Sequence, residues 1–148
     1  STLTALVWTG PRLGLVHIGD SRAYVVRDGR LLRITHDDTL VQSMIDDGSL
    51  TEEEAASHPQ RALLLRALSG DGGEPGPRPE VRLRDTLPGD RYLLCSDGLS
   101  AVVDEAALTR AVVAADGPDA AVRDLVALSG DAGGPDNVSC VVADVVAL

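Results

Sequence analysis

The chain has 148 residues, enough for one domain with a buried core, and 44% of its residues are hydrophobic. Its formal net charge of −10 repels the phosphate backbone of nucleic acids and anionic membrane surfaces. The aromatic residues are only Trp8, Tyr24 and Tyr92, too few for the stacking platforms that bind single-stranded nucleic acid. Nucleic-acid binding and membrane contact are therefore not expected.

All 13 basic residues are arginine, and 17 of the 23 acidic residues are aspartate. The lack of lysine excludes Schiff-base enzymes, the lysine of phosphate-binding nucleotide loops, and phosphatases that form an aspartyl-phosphate beside a lysine. The two cysteines, Cys95 and Cys140, lie in apolar runs and are expected to be inert buried thiols. Their spacing suits neither a zinc site nor a disulfide framework.

The sequence contains no run of about 18 apolar residues and no basic start before an apolar segment. A soluble cytoplasmic domain is therefore predicted. The chain enters a strand pattern at once with STLTALVW, a beginning more typical of the middle of a domain than of its edge.

Four strands are predicted in the first quarter of the chain, over residues 3–7, 13–19, 22–28 and 30–35. Asp28 and Gly29, between the last two, are the strongest short signal for a β-hairpin. The turn before the third strand reads GDSR and carries a candidate carboxylate, Asp20, close to His17 and Arg22.

Beyond Thr35 the apolar period changes from two residues to about 3.6. Apolar residues at positions 40, 41, 44 and 45 predict a helix that ends at Gly48. Thr51 and Glu54 form a capping-box pattern, which predicts a second short helix over residues 51–57. Residues 71–79, rich in Gly and Pro, are predicted to be a loop. Residues 36–70 are thus interpreted as a helical insertion between two strand-rich regions.

The second half of the chain predicts strands over residues 81–85 and 92–96, and then two helices. One helix begins near Asp104, and the other runs from Pro118 to Gly130. In the run YLLCSDGLS, Asp97 lies at a glycine turn that follows the end of the predicted strand. The loop GGPDN, before the last strand, contributes Asp136.

Asp20, Asp97 and Asp136 share one context, because each lies at a turn bounded by a strongly apolar strand. Hard divalent cations such as Mg²⁺ and Mn²⁺ prefer oxygen ligands, so converging carboxylates would form a metal site. Aspartate is also common in ordinary turns. Spacing alone leaves open whether the three side chains meet.

Three runs, HIGDSRAYVVRDGRL, YLLCSDGLS and GGPDNVSCVV, occur in this order. They resemble the later motifs of the metal-dependent protein serine/threonine phosphatases of the PP2C type, especially the bacterial members. The resemblance covers nearly the whole chain, including residues 39–66, which resemble the flap beside that family's active site. It implies an α+β fold, an antiparallel β-sandwich flanked by helices in the order α-β-β-α, incomplete at the N-terminus. Residues 1–148 would be the C-terminal part of one such domain, with the flap-like insertion at about 36–70.

The resemblance also implies roles for single residues. Asp97 and Asp136 correspond to ligands of one catalytic metal, and Asp20 corresponds to a ligand of an additional metal found in many members. Gly98 and Asn137 accompany these ligands and would support their loops. The implied reaction is hydrolysis of phosphoserine or phosphothreonine in proteins by a metal-activated water, with two Mn²⁺ or Mg²⁺ ions, and a third in many members. The implied partners are phosphorylated substrates of serine/threonine kinases, and the residues that bind substrate are not identified.

The earlier motifs of the family have no counterpart in the chain: an acidic residue near the start, an arginine that holds phosphate, and the Asp-Gly that bridges the two metals. Two divalent ions carry four positive charges, whereas Asp97 and Asp136 offer two negative charges. Residues 1–148 alone are therefore predicted to lack a complete two-metal centre, and to leave a sheet edge and apolar surface exposed.

Smaller departures concern the third metal and the flap. Ala101 stands where many members have an acid, which predicts a weakly held third metal. His36 is displaced from the family's Asp-His-Ser pattern, and both His36 and His58 are expected to be solvent-exposed.

Several alternatives stay open. The missing motifs could belong to the protein outside this chain, another copy of the chain could complete the domain, or the domain could be degenerate. A non-catalytic PP2C-like module that binds a phosphoprotein or regulates a partner is one other function. A metal-dependent hydrolase of small phosphate esters is another.

Overall fold

The computed structural model describes residues 1–70 and 76–147. Within these ranges lie seven strands and five helices. In chain order they are β1 (Leu3–Thr9), β2 (Arg12–Ile18), β3 (Arg22–Arg27), β4 (Arg30–Arg33), α1 (Leu40–Asp46), α2 (Glu52–Ala56), β5 (Glu80–Asp85), β6 (Arg91–Cys95), α3 (Asp97–Ser100), α4 (Glu105–Ala114), α5 (Pro118–Asp131) and β7 (Cys140–Asp144).

The strands form two antiparallel sheets, one with the order β1-β2-β5 and one with the order β4-β3-β6-β7. The predicted hairpin joins β3 to β4. Asp28 and Gly29 both have positive φ, 53° and 71°, as a two-residue type I′ turn requires.

β3 is buried on both faces, because the side chains of a strand alternate between the two sides of a sheet. Ala23 and Val25 belong to the core between the two sheets, whereas Tyr24 and Val26 belong to the core beneath the helices. The first core also contains Leu13, Leu15, Ile34 and Tyr92, and the second contains Leu93, Cys95, Leu99, Leu108, Val112 and Leu125. The predicted antiparallel sandwich with helices is therefore confirmed, and in the described residues the helical core lies against the four-stranded sheet.

The outer face of the three-stranded sheet is apolar and exposed. Val7 is 53% exposed, and Val81 and Leu83 are each 67% exposed. The strand register places these residues on one side of the sheet, because Gly14 pairs with both Val7 and Leu83, and Val81 lies two residues from Leu83. The expected exposed apolar surface is present, and surfaces of this kind mark sites of interaction.

The helical insertion is closed at its base by backbone pairing. Thr39 pairs with Leu64 in an isolated antiparallel bridge, and the Leu40 N–H donates to the Leu63 carbonyl at 2.9 Å. The predicted capping box of α2 is present, since the Thr51 N–H donates to a Glu54 carboxylate oxygen at 2.9 Å and the Glu54 N–H donates to Thr51 Oγ1 at 3.2 Å. Residues 71–75 of the predicted loop lie outside the described residues, and residues 76–79 have no regular structure.

Throughout the described ranges, none of the helices has the length and apolar character needed to cross a membrane.

An ion pair between a buried carboxylate and a partly exposed arginine fixes the turn that leads into β6. Asp90 is 2% exposed and accepts hydrogen bonds from Arg27 Nε at 2.8 Å, Arg27 Nη2 at 2.6 Å and the Leu87 N–H at 2.9 Å. The hydrogen bond from Arg27 lowers the pKa of Asp90. Because the folded-state pKa is lowered, this stabilisation is present above the ordinary aspartate pKa and is lost as the pH falls through the lowered value.

We expect Asp90→Asn to lower the free energy of unfolding at neutral pH by about 1–3 kcal/mol, because Arg27, whose side chain is 35% exposed and stays partly hydrated, loses its buried anion. Urea denaturation would show this difference shrinking as the pH falls below the ordinary aspartate pKa and through the lowered value of Asp90. Glu80→Gln is the matched control, because Glu80 pairs with Arg82 at 2.6 Å on the surface, and such pairs contribute less than about 1 kcal/mol. An equal loss in both variants would contradict this account.

Candidate functional site

Asp20 lies in the turn between β2 and β3 and is half-buried. Gly19, before it, has φ 111°, and a Cβ at this position would collide with Thr2, so glycine is required here. The Gly19 N–H donates to Asp38 Oδ2 at 3.0 Å, and the Asp38 N–H donates to the Gly19 carbonyl at 2.8 Å. The base of the helical insertion thus holds the turn that carries Asp20.

Asp97 follows β6 and begins α3, a one-turn helix over Asp97–Ser100. The sequence predicted a glycine turn here, and the structure corrects it to a short helix with Ser96 at the N-cap. A carboxylate is favoured in the first turn of a helix, where backbone N–H groups are unpaired. The Gly98 N–H donates to Asp97 Oδ1 at 2.9 Å, and Leu99 anchors the turn in the core at 0% exposure.

Asp136 lies in the loop before β7 and is exposed. Its Oδ1 accepts the Asn137 N–H at 2.7 Å. The loop is tied to the end of β6, because the Ser139 N–H donates to Ser96 Oγ at 3.0 Å and the Ser96 N–H donates to the Ser139 carbonyl at 2.9 Å. The backbone of Asn137 also helps to tie this loop to the end of β6, since its carbonyl accepts a hydrogen bond from Ser96 Oγ at 3.4 Å.

Gly98 allows the Asp97 turn and the Asp136 loop to touch. A Cβ at Gly98 would collide with the carbonyl oxygen of Asn137. The Gly98 carbonyl in turn accepts from Ser129 Oγ at 3.1 Å, and Ser129, on α5, is 1% exposed. The two loops and the helix behind them therefore form one hydrogen-bonded unit.

The three predicted carboxylates line one cleft of about 690 Å³, between the ends of the strands and the helical insertion. Burial raises the pKa of Asp20, and the negative charge of Asp97 raises it further. These two carboxylates are therefore electrostatic neighbours. Among residues 1–70 and 76–147, no three His, Cys, Asp or Glu side chains come close enough together to hold a metal ion. The structure gathers the candidates around one cleft without forming a three-ligand group.

Arg22, the basic residue close to Asp20 in the sequence, forms an ion pair with Asp37. Arg22 makes a two-pronged contact with Asp37, from Nη2 to Oδ2 at 2.7 Å and from Nε to Oδ1 at 3.1 Å. Asp37 is 7% exposed, and Asp38 pairs through Oδ1 with Arg66 at 3.0 Å. In the sequence, Asp37 and Asp38 stand out only as a departure from the family pattern. Their roles depend on partners 15 to 28 residues away, so no local pattern could have revealed them.

The histidines lie outside the carboxylate cluster. His36 is exposed, as predicted, and its Nε2 lies 3.0 Å from Asp46. His58 is half-buried, so the prediction of an exposed side chain is only partly met. His17 is 2% exposed, and its ring nitrogens contact Thr4 Oγ1 and the His36 carbonyl, both at 2.9 Å. Ala101, where the resemblance predicts that an acid is missing, lines the cleft.

Both cysteines are free thiols in this structure. Burial raises the pKa of Cys95 to about 12, so this thiol is protonated at neutral pH. Cys140 is half-buried, and burial raises its pKa as well. Neither group has the environment of a catalytic nucleophile.

The raised pKa of Asp20 gives a pH-dependent prediction for the metal-free chain. Because the folded-state pKa is raised, the stabilising contribution is present below the unfolded-state pKa and is lost as the pH rises through the folded-state value. We therefore expect Asp20→Asn to melt at a higher temperature than the wild type at neutral pH, and at an equal temperature near pH 3. Thermal denaturation with a chelator present would measure the melting temperatures of the wild type and the variant at both pH values. A variant that melts lower than the wild type at neutral pH would contradict the prediction.

No protein-family model matches the chain. The serine/threonine protein phosphatase PstP of Mycobacterium tuberculosis H37Rv is 53% identical over 146 residues, which are 99% of this chain and 27% of PstP. The protein phosphatase PhpP of Streptococcus pneumoniae is 32% identical over 140 residues, which are 94% of this chain and 55% of PhpP. The chain therefore spans about a quarter of PstP and about half of PhpP.

Solved structures give the same relationship. The crystal structure of M. tuberculosis PstP superposes with a TM-score of 0.86 at 50% identity, covering 99% of this chain and 60% of that one. The catalytic domain of PstP in complex with two manganese ions superposes with a TM-score of 0.85 at 47% identity, covering 99% of this chain and 59% of that one. Similarity along nearly the whole sequence and the shared fold together show that this chain belongs to the PP2C-type (PPM) serine/threonine phosphatase family, and it covers about three fifths of each of these two solved chains.

Proposed function

We propose that the protein to which this chain belongs hydrolyses phosphoserine and phosphothreonine in proteins, and that this chain supplies part of the metal site. The observation that carries the proposal is the placement of Asp20, Asp97 and Asp136 around one cleft. Burial and the charge of Asp97 make the ionised form of Asp20 unfavourable. A divalent cation would relieve this repulsion, and carboxylate oxygens are the ligands that Mn²⁺ and Mg²⁺ prefer.

In this proposal Asp97 and Asp136 would hold one ion together and Asp20 would hold an additional one. When bound, a divalent ion supplies an activated water and neutralises charge on the phosphoryl group. The chain's own residues position the ligands: Ser96 joins the loops of Asp97 and Asp136 through three hydrogen bonds. The cleft, at about 690 Å³, is in the size range of small-ligand sites and can admit a phosphorylated side chain.

The remaining ligands are proposed to come from residues outside positions 1–148. Two observations support this. The described residues contain no group of three metal-ligating side chains, and solved relatives are longer than the part that matches this chain. Catalytic activity is accordingly expected of the complete protein, acting on substrates of serine/threonine kinases. The two free thiols agree with a reducing compartment such as the cytoplasm.

The test is the release of inorganic phosphate from a phosphothreonine peptide by the complete protein, with Mn²⁺ and with a chelator. We expect release only with Mn²⁺, and with higher kcat/KM on the peptide than on p-nitrophenyl phosphate. Activity confined to the small ester would favour the general phosphate-ester hydrolase. Peptide binding without turnover would favour the non-catalytic module, and metal-independent release would overturn the proposal.

A further inference from the structure

Cys95 and Cys140 are direct partners across two neighbouring strands. Cys95 is the last residue of β6, Cys140 is the first residue of β7, and the antiparallel register pairs the two. Residues that oppose each other in an antiparallel pair place their side chains on the same face of the sheet. Both cysteines indeed contact the same core beneath the helices.

The hydrogen-bond pattern between β6 and β7 shows whether Cys95 and Cys140 form a hydrogen-bonded or a non-hydrogen-bonded pair. The Ser96 N–H donates to the Ser139 carbonyl at 2.9 Å, and at the far end of the ladder the Val145 N–H donates to the Asp90 carbonyl at 2.8 Å. Hydrogen-bonded and non-hydrogen-bonded pairs alternate along the ladder, so Cys95 and Cys140 form a non-hydrogen-bonded pair. Cα atoms in such pairs lie about 4.5 Å apart, at the short end of the roughly 4.4–6.8 Å that disulfides span.

We propose that Cys95 and Cys140 form a reversible disulfide under peroxide, and that this pair is an oxidation site next to the carboxylate cleft. Cys140 is the more exposed of the two, so its sulfur meets the oxidant first. Burial raises the pKa of Cys140, so the small fraction of its sulfur that is ionised attacks hydrogen peroxide, which gives a sulfenic acid and hydroxide. Cys95 sulfur then attacks Cys140 sulfur, and the sulfenic oxygen leaves as water. In sum, two thiols and one peroxide give one disulfide and two waters.

The bond would lie beside both loops of the site. Cys95 immediately precedes Ser96 and Asp97, and Cys140 immediately follows Ser139, whose N–H donates to Ser96 Oγ at 3.0 Å. Most disulfides have Cα atoms about 5.5–6 Å apart, so the bond would push the two strands slightly apart at this point and shift that contact and the carboxylates that depend on it. A disulfide at the short end of the allowed range is strained and easily reduced, so the change would be reversible. The effect on activity rests on the proposed function, whereas formation of the bond does not.

Bond formation is tested by treating the whole 148-residue chain with hydrogen peroxide, quenching with catalase, and mapping its peptides by mass spectrometry. We expect a linked peptide that joins Cys95 to Cys140, the loss of both thiols together, and recovery of both with dithiothreitol. The control is Cys140→Val, whose fold is checked by circular dichroism. In this variant the Cys95 thiol should persist at the peroxide dose that removes it from the wild type.

Three results would overturn the disulfide: Cys140 oxidised to sulfinic acid beside an unmodified Cys95, linkage between separate molecules, or equal survival of Cys95 in wild type and Cys140→Val. The effect on the site is tested in the complete enzyme, where peroxide should lower Mn²⁺-dependent phosphate release several-fold in the wild type and leave Cys140→Val unchanged. A linked enzyme with full activity would overturn that effect. A fully reduced enzyme without activity would overturn the proposed function, while the peptide map still decides the disulfide.

Discussion

Replacing Asp97 or Asp136 with asparagine in the complete protein is expected to lower Mn²⁺-dependent phosphate release by about 10³-fold or more. A catalytic metal contributes several kcal/mol to the stabilisation of transition-state charge, and each 1.36 kcal/mol corresponds to about tenfold in rate. Asparagine keeps the size of aspartate but removes the negative charge that would hold the ion. The measurement is kcat/KM on a phosphothreonine peptide over a range of Mn²⁺ concentrations.

The matched control is Asp116→Asn. Asp116 is an exposed carboxylate between α4 and α5, and it does not line the cleft. This variant should keep the activity of the wild type and its dependence on Mn²⁺. Undiminished activity in both Asp97→Asn and Asp136→Asn would show that these carboxylates are not part of the metal site.

Gly98→Ala is expected to have the second large effect. The new methyl group would meet the carbonyl oxygen of Asn137, a backbone atom that cannot turn away as a flexible side chain could. Overpacking of this kind costs about 1–3 kcal/mol of stability. Because the displaced backbone carries Asp136, activity should fall by roughly 10²-fold, the loss that a shift of about 1 Å can cause at a catalytic site.

Gly130→Ala provides the control for this substitution. Gly130 lies on α5, and no atom lies within 4 Å of the Cβ that alanine would add. Alanine favours a helix more than glycine does, so this variant should be as stable as the wild type or more stable. Urea denaturation and phosphate release are measured on both variants. Equal behaviour of the two would show that the contact between Gly98 and Asn137 does not set the position of the Asp136 loop.

Much of the fold follows from local sequence chemistry. Asp28 and Gly29 specify the hairpin because both adopt positive φ at little cost, and Thr51 and Glu54 specify the start of α2 by satisfying each other's backbone groups. Asp104, at the N-cap of α4, accepts the Ala107 N–H at 2.7 Å and so fixes where that helix begins. Such signals depend on residues within a few positions of one another, so they can be recognised in the sequence.

Other features depend on contacts that the sequence does not reveal. α3 is only four residues long, shorter than the window over which a helical period can be detected. The pairing of Arg22 with Asp37 depends on the course of the chain from β3 through β4. The place of Asp20, Asp97 and Asp136 around one cleft depends on the packing of the two sheets. Spacing left their convergence open, and their roles as metal ligands stay predictions.

Calorimetric titration of the chain with Mn²⁺ tests the metal assignment most directly, because it needs neither a substrate nor the rest of the protein. We predict weak binding of at most one ion, reduced at least tenfold in Asp97→Asn and in Asp136→Asn and unchanged in Asp116→Asn. Binding that is equal in the wild type and all three variants would show that these carboxylates do not hold the ion. Tight binding of two ions would show that residues 1–148 already contain a complete centre.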